Sequence, residues 1–174
     1  ASTISMQLVK NVFLTREKTL SRKLEEILLT YILENSNITS KSRMFEVYLN
    51  IIEWGPDVYG IGEASSYYFE KHPSMLSLDE SVYLASIVPS PKSFAWKFND
   101  EGRLKDYAVR HNKHIENLML RRGLITSQDT IAQDGQVVVS GRGRNRIYIN
   151  EAKLFLKDTA AVKKIFMNFS KRAF

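Results

Sequence analysis

The sequence predicts a mainly α protein with a small β-hairpin and a further helix at its C-terminal end. Three observations lead there. Apolar residues recur at three- and four-residue spacing from Ile4 to Met119, the period of one helical face. Ser77-Leu-Asp-Glu80 is a capping box standing ahead of an apolar run that closes at Pro89. Beyond Gly123 the helical pattern stops and β-prone, basic sequence follows.

Taken in order, Ile4, Leu8 and Val12 define a first helix over residues 1–14, and the polar stretch Thr15 to Ser21 reads as a loop. Leu24, Ile27, Leu28 and Tyr31 then form an i, i+3, i+4, i+7 stripe, so residues 22–34 are expected to be a helix buried on that side. After the polar linker Asn35 to Ser40, the helical pattern returns over 41–53 with Met44, Tyr48, Ile51 and Ile52, and Trp54-Gly-Pro-Asp57 breaks it. A short helix is expected from Glu63 to Lys71, stopped before Pro73. Pro89 to Asn99 reads as an aromatic-rich loop with two prolines. A long helix follows, with Leu104, Tyr107, Ala108, Ile115, Leu118 and Met119 on its inner face and Gly123 as its C-cap. Gln136 to Ser140 and Arg146 to Ile149 favour strands around Gly141-Arg-Gly-Arg144, which predicts a hairpin. Ala152 to Arg172 is basic and helical in pattern. These readings divide the chain into a helical domain at 1–128 and an appended unit at 129–174, not needed for the architecture of the first.

At 174 residues and 44% hydrophobic content the chain can bury one sizeable core. The absence of cysteine excludes disulfides and thiol chemistry. No apolar run reaches the roughly 20 residues that span a bilayer. A net charge of +6 suits phosphate-bearing partners, whether nucleic acid, lipid headgroups or pyrophosphate. His72, His111 and His114 have no metal-ligand spacing with carboxylates, so no metal site is assigned. The Gly-Arg-Gly-Arg run is read as a basic hairpin tip, and Tyr31, Phe45, Tyr48 and Trp54 as core or cleft aromatics; no nucleic acid partner is expected.

Three polar clusters carry chemistry. In the first, Ser2-Thr3-Ile4-Ser5-Met6-Gln7-Leu8-x-Lys10-Asn11, Gln7 and Lys10 are i, i+3 neighbours, so an amide and an ammonium can address one ligand. In the second, Arg22, Lys23 and Glu26 lie within one turn. Taken alone, that reads first as a solvated ion pair worth roughly a few tenths of a kcal/mol. In the third, Lys41-x-x-Met-Phe-Glu46-x-Tyr48-Leu49-Asn50, Glu46 and Asn50 share a helix face next to Met44, Tyr48 and Ile52. A set of hydrogen bonds that holds the cleft helices in register is expected there.

The order and spacing of these clusters resemble the peptidoglycan glycosyltransferases, glycosyltransferase family 51. The family pattern Gly-x-Ser-Thr-Ile-Thr-Gln-Gln-Leu-x-Lys-Asn is matched by Ser2, Thr3, Ile4, Gln7, Leu8, Lys10 and Asn11, with Met6 standing for the first Gln. Its Arg-Lys-x-x-Glu motif is matched by Arg22, Lys23 and Glu26, and Lys18 stands where the family usually has Arg. Glu46, Tyr48 and Asn50 match a third motif, and Tyr59-Gly-Ile61 follows it, while Trp54-Gly-Pro-Asp57 departs from the commoner aromatic-Gly form and should alter the cleft rim. Arg110 falls near the Arg of a fifth motif and would pair a cleft carboxylate. The resemblance covers roughly residues 1–125.

It implies a lysozyme-like helical fold and an enzyme that polymerises lipid II into glycan strands with release of undecaprenyl pyrophosphate. Glu26 is implied as the catalytic carboxylate. Ser2, Thr3, Gln7, Lys10, Asn11, Lys18, Arg22 and Lys23 are implied as substrate-binding, and Glu46, Tyr48, Asn50 and Arg110 as structural residues of the cleft. A divalent cation such as magnesium could sit at the phosphates. The implied partners are lipid II, the growing glycan chain, the extracytoplasmic membrane surface and other cell-wall synthesis proteins. The family's general base is a Glu in a first motif upstream of the matched segment. No residue here matches it, so the chain reads as a fragment. The alternative is an inactive relative that keeps the pyrophosphate cradle and only binds.

Overall fold

The computed structural model describes residues 3–14, 19–36, 39–148 and 159. Helix α1 spans Ile4–Phe13, α2 Leu20–Asn35 and α3 Lys41–Ile51. Strands β1 (Glu53–Gly55) and β2 (Val58–Tyr59) follow, then α4 (Ile61–Phe69), α5 (Leu78–Ile87) and α6 (Asp106–Arg121). The architecture is mainly helical, and the β1–β2 hairpin is the antiparallel sheet found among the described residues.

Local chemistry explains the helix starts. Thr3, Thr19 and Ser40 cap α1, α2 and α3, each hydroxyl accepting from a backbone N–H three residues on. Ser77 and Glu80 close the expected capping box of α5 in both directions, at 3.2 and 2.8 Å. Pro56 presets the hairpin turn, and Asp57 takes the left-handed φ of 62° that the turn requires. Gly60 follows with a φ of 80°; a Cβ there would stand 2.7 Å from the Asn50 carbonyl, so the chain can pass α3 this closely only as glycine. The expected loop after Pro89 contains a 3-10 helix, Pro91–Lys97.

The core is aromatic at its centre. Tyr68 meets Phe94 edge-on at 5.0 Å, Tyr83 meets Phe98 at 5.2 Å, and the two tyrosines meet at 5.9 Å. The Tyr68 hydroxyl donates to the Trp54 carbonyl at 2.8 Å, and the Trp54 indole donates to Leu49 O. Trp54 is therefore a buried member of the hairpin and not a rim residue. Around this centre α1 packs on α2 and α3, α5 on α6, and the hairpin on the Pro91–Lys97 turn.

Two expectations are corrected by packing. The inner face of α6 is the line Ala108, Asn112 and Glu116, whereas Tyr107 and Leu118 are exposed. Polar residues are buried there because the chain returns and docks on them. Asn112 Nδ2 donates to Gly135 O, Lys113 Nζ to Gln133 O, and Gly135 N donates to Asp79 Oδ1 on α5. The same return removes the predicted C-terminal hairpin. Leu104 N donates to Val137 O, Val139 N to Gly102 O, and Ser140 and Gly141 N–H to Tyr68 O. Residues 136–140 thus run beside 102–104, and residues 143–148 are helical. A Cβ on Gly141 would lie 2.4 Å from the Tyr67 carbonyl, so the Gly-Arg-Gly-Arg run is glycine-rich for close backbone approach to α4. Val137, Val139 and Ile147 belong to the same core cluster as Tyr68 and Phe94. The boundary expected after Gln128 does not coincide with a break in that core.

The Asp79–Glu116 contact predicts a pH dependence. Burial, then the hydrogen bond and charge of Glu116, push the Asp79 carboxyl up to about 7. A carboxyl raised in the folded state holds its proton there when the unfolded chain has lost it. Its contribution to stability is full below the usual aspartate range and is lost as pH rises toward 7. Asp79→Asn keeps the acceptor for Gly135 N and removes the titration. Between pH 5 and pH 8 the parent should lose more thermal stability than Asp79→Asn; parallel melting curves against pH would refute this.

Candidate functional site

A cavity of about 480 Å³ opens where α1, α2, α3, the hairpin and the Pro91 turn meet. Gln7, Lys10 and Asn11 enter it from α1 and Arg22 from α2. The helical pitch puts Gln7, Lys10 and Asn11 on one face, and the Thr19 cap sets where α2 begins, so that Arg22 lies in its first turn. Tyr48, Ile51 and Ile52 enter from α3 and its C-cap, Glu53 and Tyr59 from the hairpin, and Val88 and Pro91 from the end of α5 and the following turn. The Tyr48 hydroxyl donates to Gln7 Oε1 at 3.2 Å and ties α3 to α1 across the floor. Burial raises the Tyr48 phenol, which keeps it the donor. Lys10 and Arg22 bring positive charge, Gln7 and Asn11 bring amides. Such a lining can hold a phosphorylated ligand and stabilise negative charge that develops on it.

The Lys23–Glu26 pair sits beside this cavity and does not line it. Glu26 is 2% exposed, and the Lys23 ammonium reaches its Oε1 at 2.7 Å. Thr30 Oγ1 donates to the Glu26 carbonyl one turn on. The inward face of α2 is therefore polar, and the apolar stripe expected to be core faces outward: Leu24 is 64% and Tyr31 66% exposed, with Leu20, Ile27 and Leu28 alongside. The physical reason is that a paired carboxylate has taken the buried side of the helix.

The other expected site residues separate. Ser2 and Lys18 lie outside the described residues. Thr3 is the exposed N-cap of α1. Tyr48 is in the cleft as expected, but Glu46 and Asn50 are exposed on α3: Glu46 pairs with Arg43 at 2.8 Å, and Asn50 Nδ2 donates back to Glu46 O. With a 59% exposed side chain, Glu46 holds no buried network. Glu46→Ala should accordingly change folding stability by no more than about 0.5 kcal/mol, as at other exposed sites; a urea melt showing a loss several times larger would restore the scaffold role. Arg110 is exposed on α6, and among the described residues no carboxylate lies within ion-pair distance. It is not the expected partner of a cleft carboxylate. The residues that sequence reasoning missed are Glu53 and Tyr59. A carboxylate directly after the apolar pair Ile51-Ile52 was the one available signal, and it was read as part of a helix end.

The profile of one protein family, described as Transglycosylase, matches residues 1–119, the segment that builds this cleft. The chain belongs to the transglycosylase family. Similar proteins named biosynthetic peptidoglycan transglycosylase include those of three bacteria. The one from Paraburkholderia xenovorans is 42% identical over 118 residues, covering 68% of this chain and 46% of that protein. The one from Chromobacterium violaceum is 44% identical over 118 residues, covering 68% and 49%. The one from Nitrosomonas eutropha is 50% identical over 93 residues, covering 53% and 37%. The chain thus matches less than half the length of each of these relatives. The family match spans both polar clusters that reach the cleft wall, the one on α1 and the one opening α2.

Proposed function

We propose that the protein carrying this chain is a peptidoglycan glycosyltransferase that polymerises lipid II into glycan strands. The observation that carries this reading is the convergence of Gln7, Lys10 and Asn11 from α1 with Arg22 from α2 in one cavity, in a chain of the transglycosylase family. In the reaction the 4-hydroxyl of one sugar attacks the anomeric carbon of a lipid-linked chain. The new C–O bond forms as the bond from that carbon to the phosphate oxygen breaks, and undecaprenyl pyrophosphate leaves. The hydroxyl proton goes to a general base, which no residue of this chain is assigned to be. Lys10 and Arg22 meet the charge that grows on the pyrophosphate, and the amides of Gln7 and Asn11 orient it. Lys23 and Glu26 pair within the first turns of α2, beside Arg22, and Glu26 holds the Lys23 ammonium in place.

A divalent cation at the phosphates would be held by substrate oxygens and water more than by Glu26. Its carboxylate is sealed and already held by Lys23, and among the described residues no three His, Asp or Glu side chains converge. No described helix is long and apolar enough to cross a membrane. The outward face of α2, with Phe13 of α1 also exposed, supports work at a membrane surface, and the extracytoplasmic side is proposed from the family reading alone.

The test is lipid II polymerisation by the whole protein, with glycan strands resolved by length. Lys10→Ala and Arg22→Ala should each slow strand formation at least tenfold, roughly the loss of a charge-assisted contact. Binding of a phosphoglycolipid such as moenomycin should weaken as salt rises. Binding without any polymer would favour the binding-only reading, and neither binding nor polymer would overturn both.

A further inference from the structure

The cavity has two walls of different chemistry. Lys10, Arg22 and the two amides come from α1 and α2; Glu53 and Tyr59 come from the hairpin. Glu53 and Tyr59 are paired directly across the strands, so their side chains leave the same face of the sheet. Lys92, next to the lining residue Pro91, stands 3.1 Å from Glu53 Oε1. That oxygen is sealed from solvent and accepts no hydrogen bond from the described residues, so it is the other carboxylate oxygen of this 22% exposed side chain that faces a ligand. The lysine contact is thus electrostatic and misaligned, and it positions the carboxylate without satisfying its acceptor capacity.

From this, and resting on the functional reading above, we infer that Glu53 is a specificity residue that receives the saccharide of the lipid-linked substrate. A carboxylate offers only acceptors. A sugar carries O–H and amide N–H donors, while an ionised pyrophosphate carries none and is repelled. The hairpin wall therefore takes the sugar and the α1–α2 wall takes the pyrophosphate, and this opposition sets the direction in which the substrate lies. Lys92 is a positioning residue that keeps the Glu53 carboxylate at the wall.

The experiment compares two ligands on the whole protein: lipid II, and undecaprenyl pyrophosphate, which keeps the pyrophosphate, with one more ionisable oxygen, and has no sugar. Glu53→Gln keeps the shape and removes the charge. It should weaken lipid II binding roughly tenfold, the scale of a hydrogen bond to a charged group, and leave undecaprenyl pyrophosphate within about twofold or bound more tightly, since only repulsion is lost. In turnover the loss should fall on KM more than on kcat. Lys92→Met should show the same selectivity to a smaller degree, with an unchanged melting curve. Equal loss for both ligands, or no loss for either, overturns the inference while the functional reading stands. If the parent binds neither ligand, the functional reading fails and takes the inference with it.

Discussion

Glu26→Gln should lower lipid II polymerisation by the whole protein at least a hundredfold, on the scale of removing one preorganised electrostatic group from an active site, roughly. The substitution keeps the volume of a side chain that is 2% exposed and removes the charge that Lys23 faces at 2.7 Å. The Lys23 ammonium, beside Arg22 of the cleft, then loses the carboxylate charge that holds it. Lys23→Ala should be similarly inactive, with a larger stability cost. It leaves a sealed carboxylate short of its cation, which costs about 3–5 kcal/mol when both partners are buried and less where one is partly solvated; Lys23 is 46% exposed. Strand synthesis by Glu26→Gln above half the parent rate would remove Glu26 from the mechanism. A collapsed melting curve in Glu26→Gln would make its role structural only.

Truncation after Gln128 should abolish the cooperative fold. The cut removes Val137, Val139 and Ile147 from the core that holds Tyr68, Phe94 and Phe98. Burial of each such aliphatic side chain contributes about 1.5–3 kcal/mol, and the three together approach the 5–15 kcal/mol, roughly, that a whole domain has in reserve. The cut also strips partners from Leu104 N and Tyr68 O, and from Asn112 and Lys113 on α6. Point variants keep the test sharp: Ile147→Ala should cost about 2–5 kcal/mol in a denaturant titration. A truncated chain with a sharp thermal transition and native helix content would show that the residues after 128 are an appendage after all.

What could be read in advance depended on how local the cause was. The helix starts at Thr3, Ser40 and Ser77 are set by side chains bonding three residues away, so neighbouring residues suffice to predict them. The turn at Pro56-Asp57 and the left-handed Gly123 just past the Arg122 C-cap are of the same kind. The polar cluster on α1 was legible because helical pitch alone brings Gln7, Lys10 and Asn11 together. The hairpin expected at 136–149 failed because β-propensity reports only that a segment can extend. Its partner proved to be the chain at 102–104, more than thirty residues earlier in sequence.

The sequence by itself determined the helical class, most element boundaries, the family and the polar residues of the first two clusters. The tertiary structure alone decided which face of each helix is inside. On α2 the apolar stripe promised burial, yet Glu26 took the interior because Lys23 compensates its charge and Thr30 bonds its backbone. On α6, Asn112 is buried because the 133–135 turn supplies its partner, and Glu116 is buried against Lys113, which that turn also holds. On α3, Glu46 and Asn50 lie outside, and the cleft carboxylate is Glu53, brought in by the hairpin. In each case the cost of burying a polar group depends on what meets it in space, and that partner is not adjacent in the chain or is not revealed by periodicity.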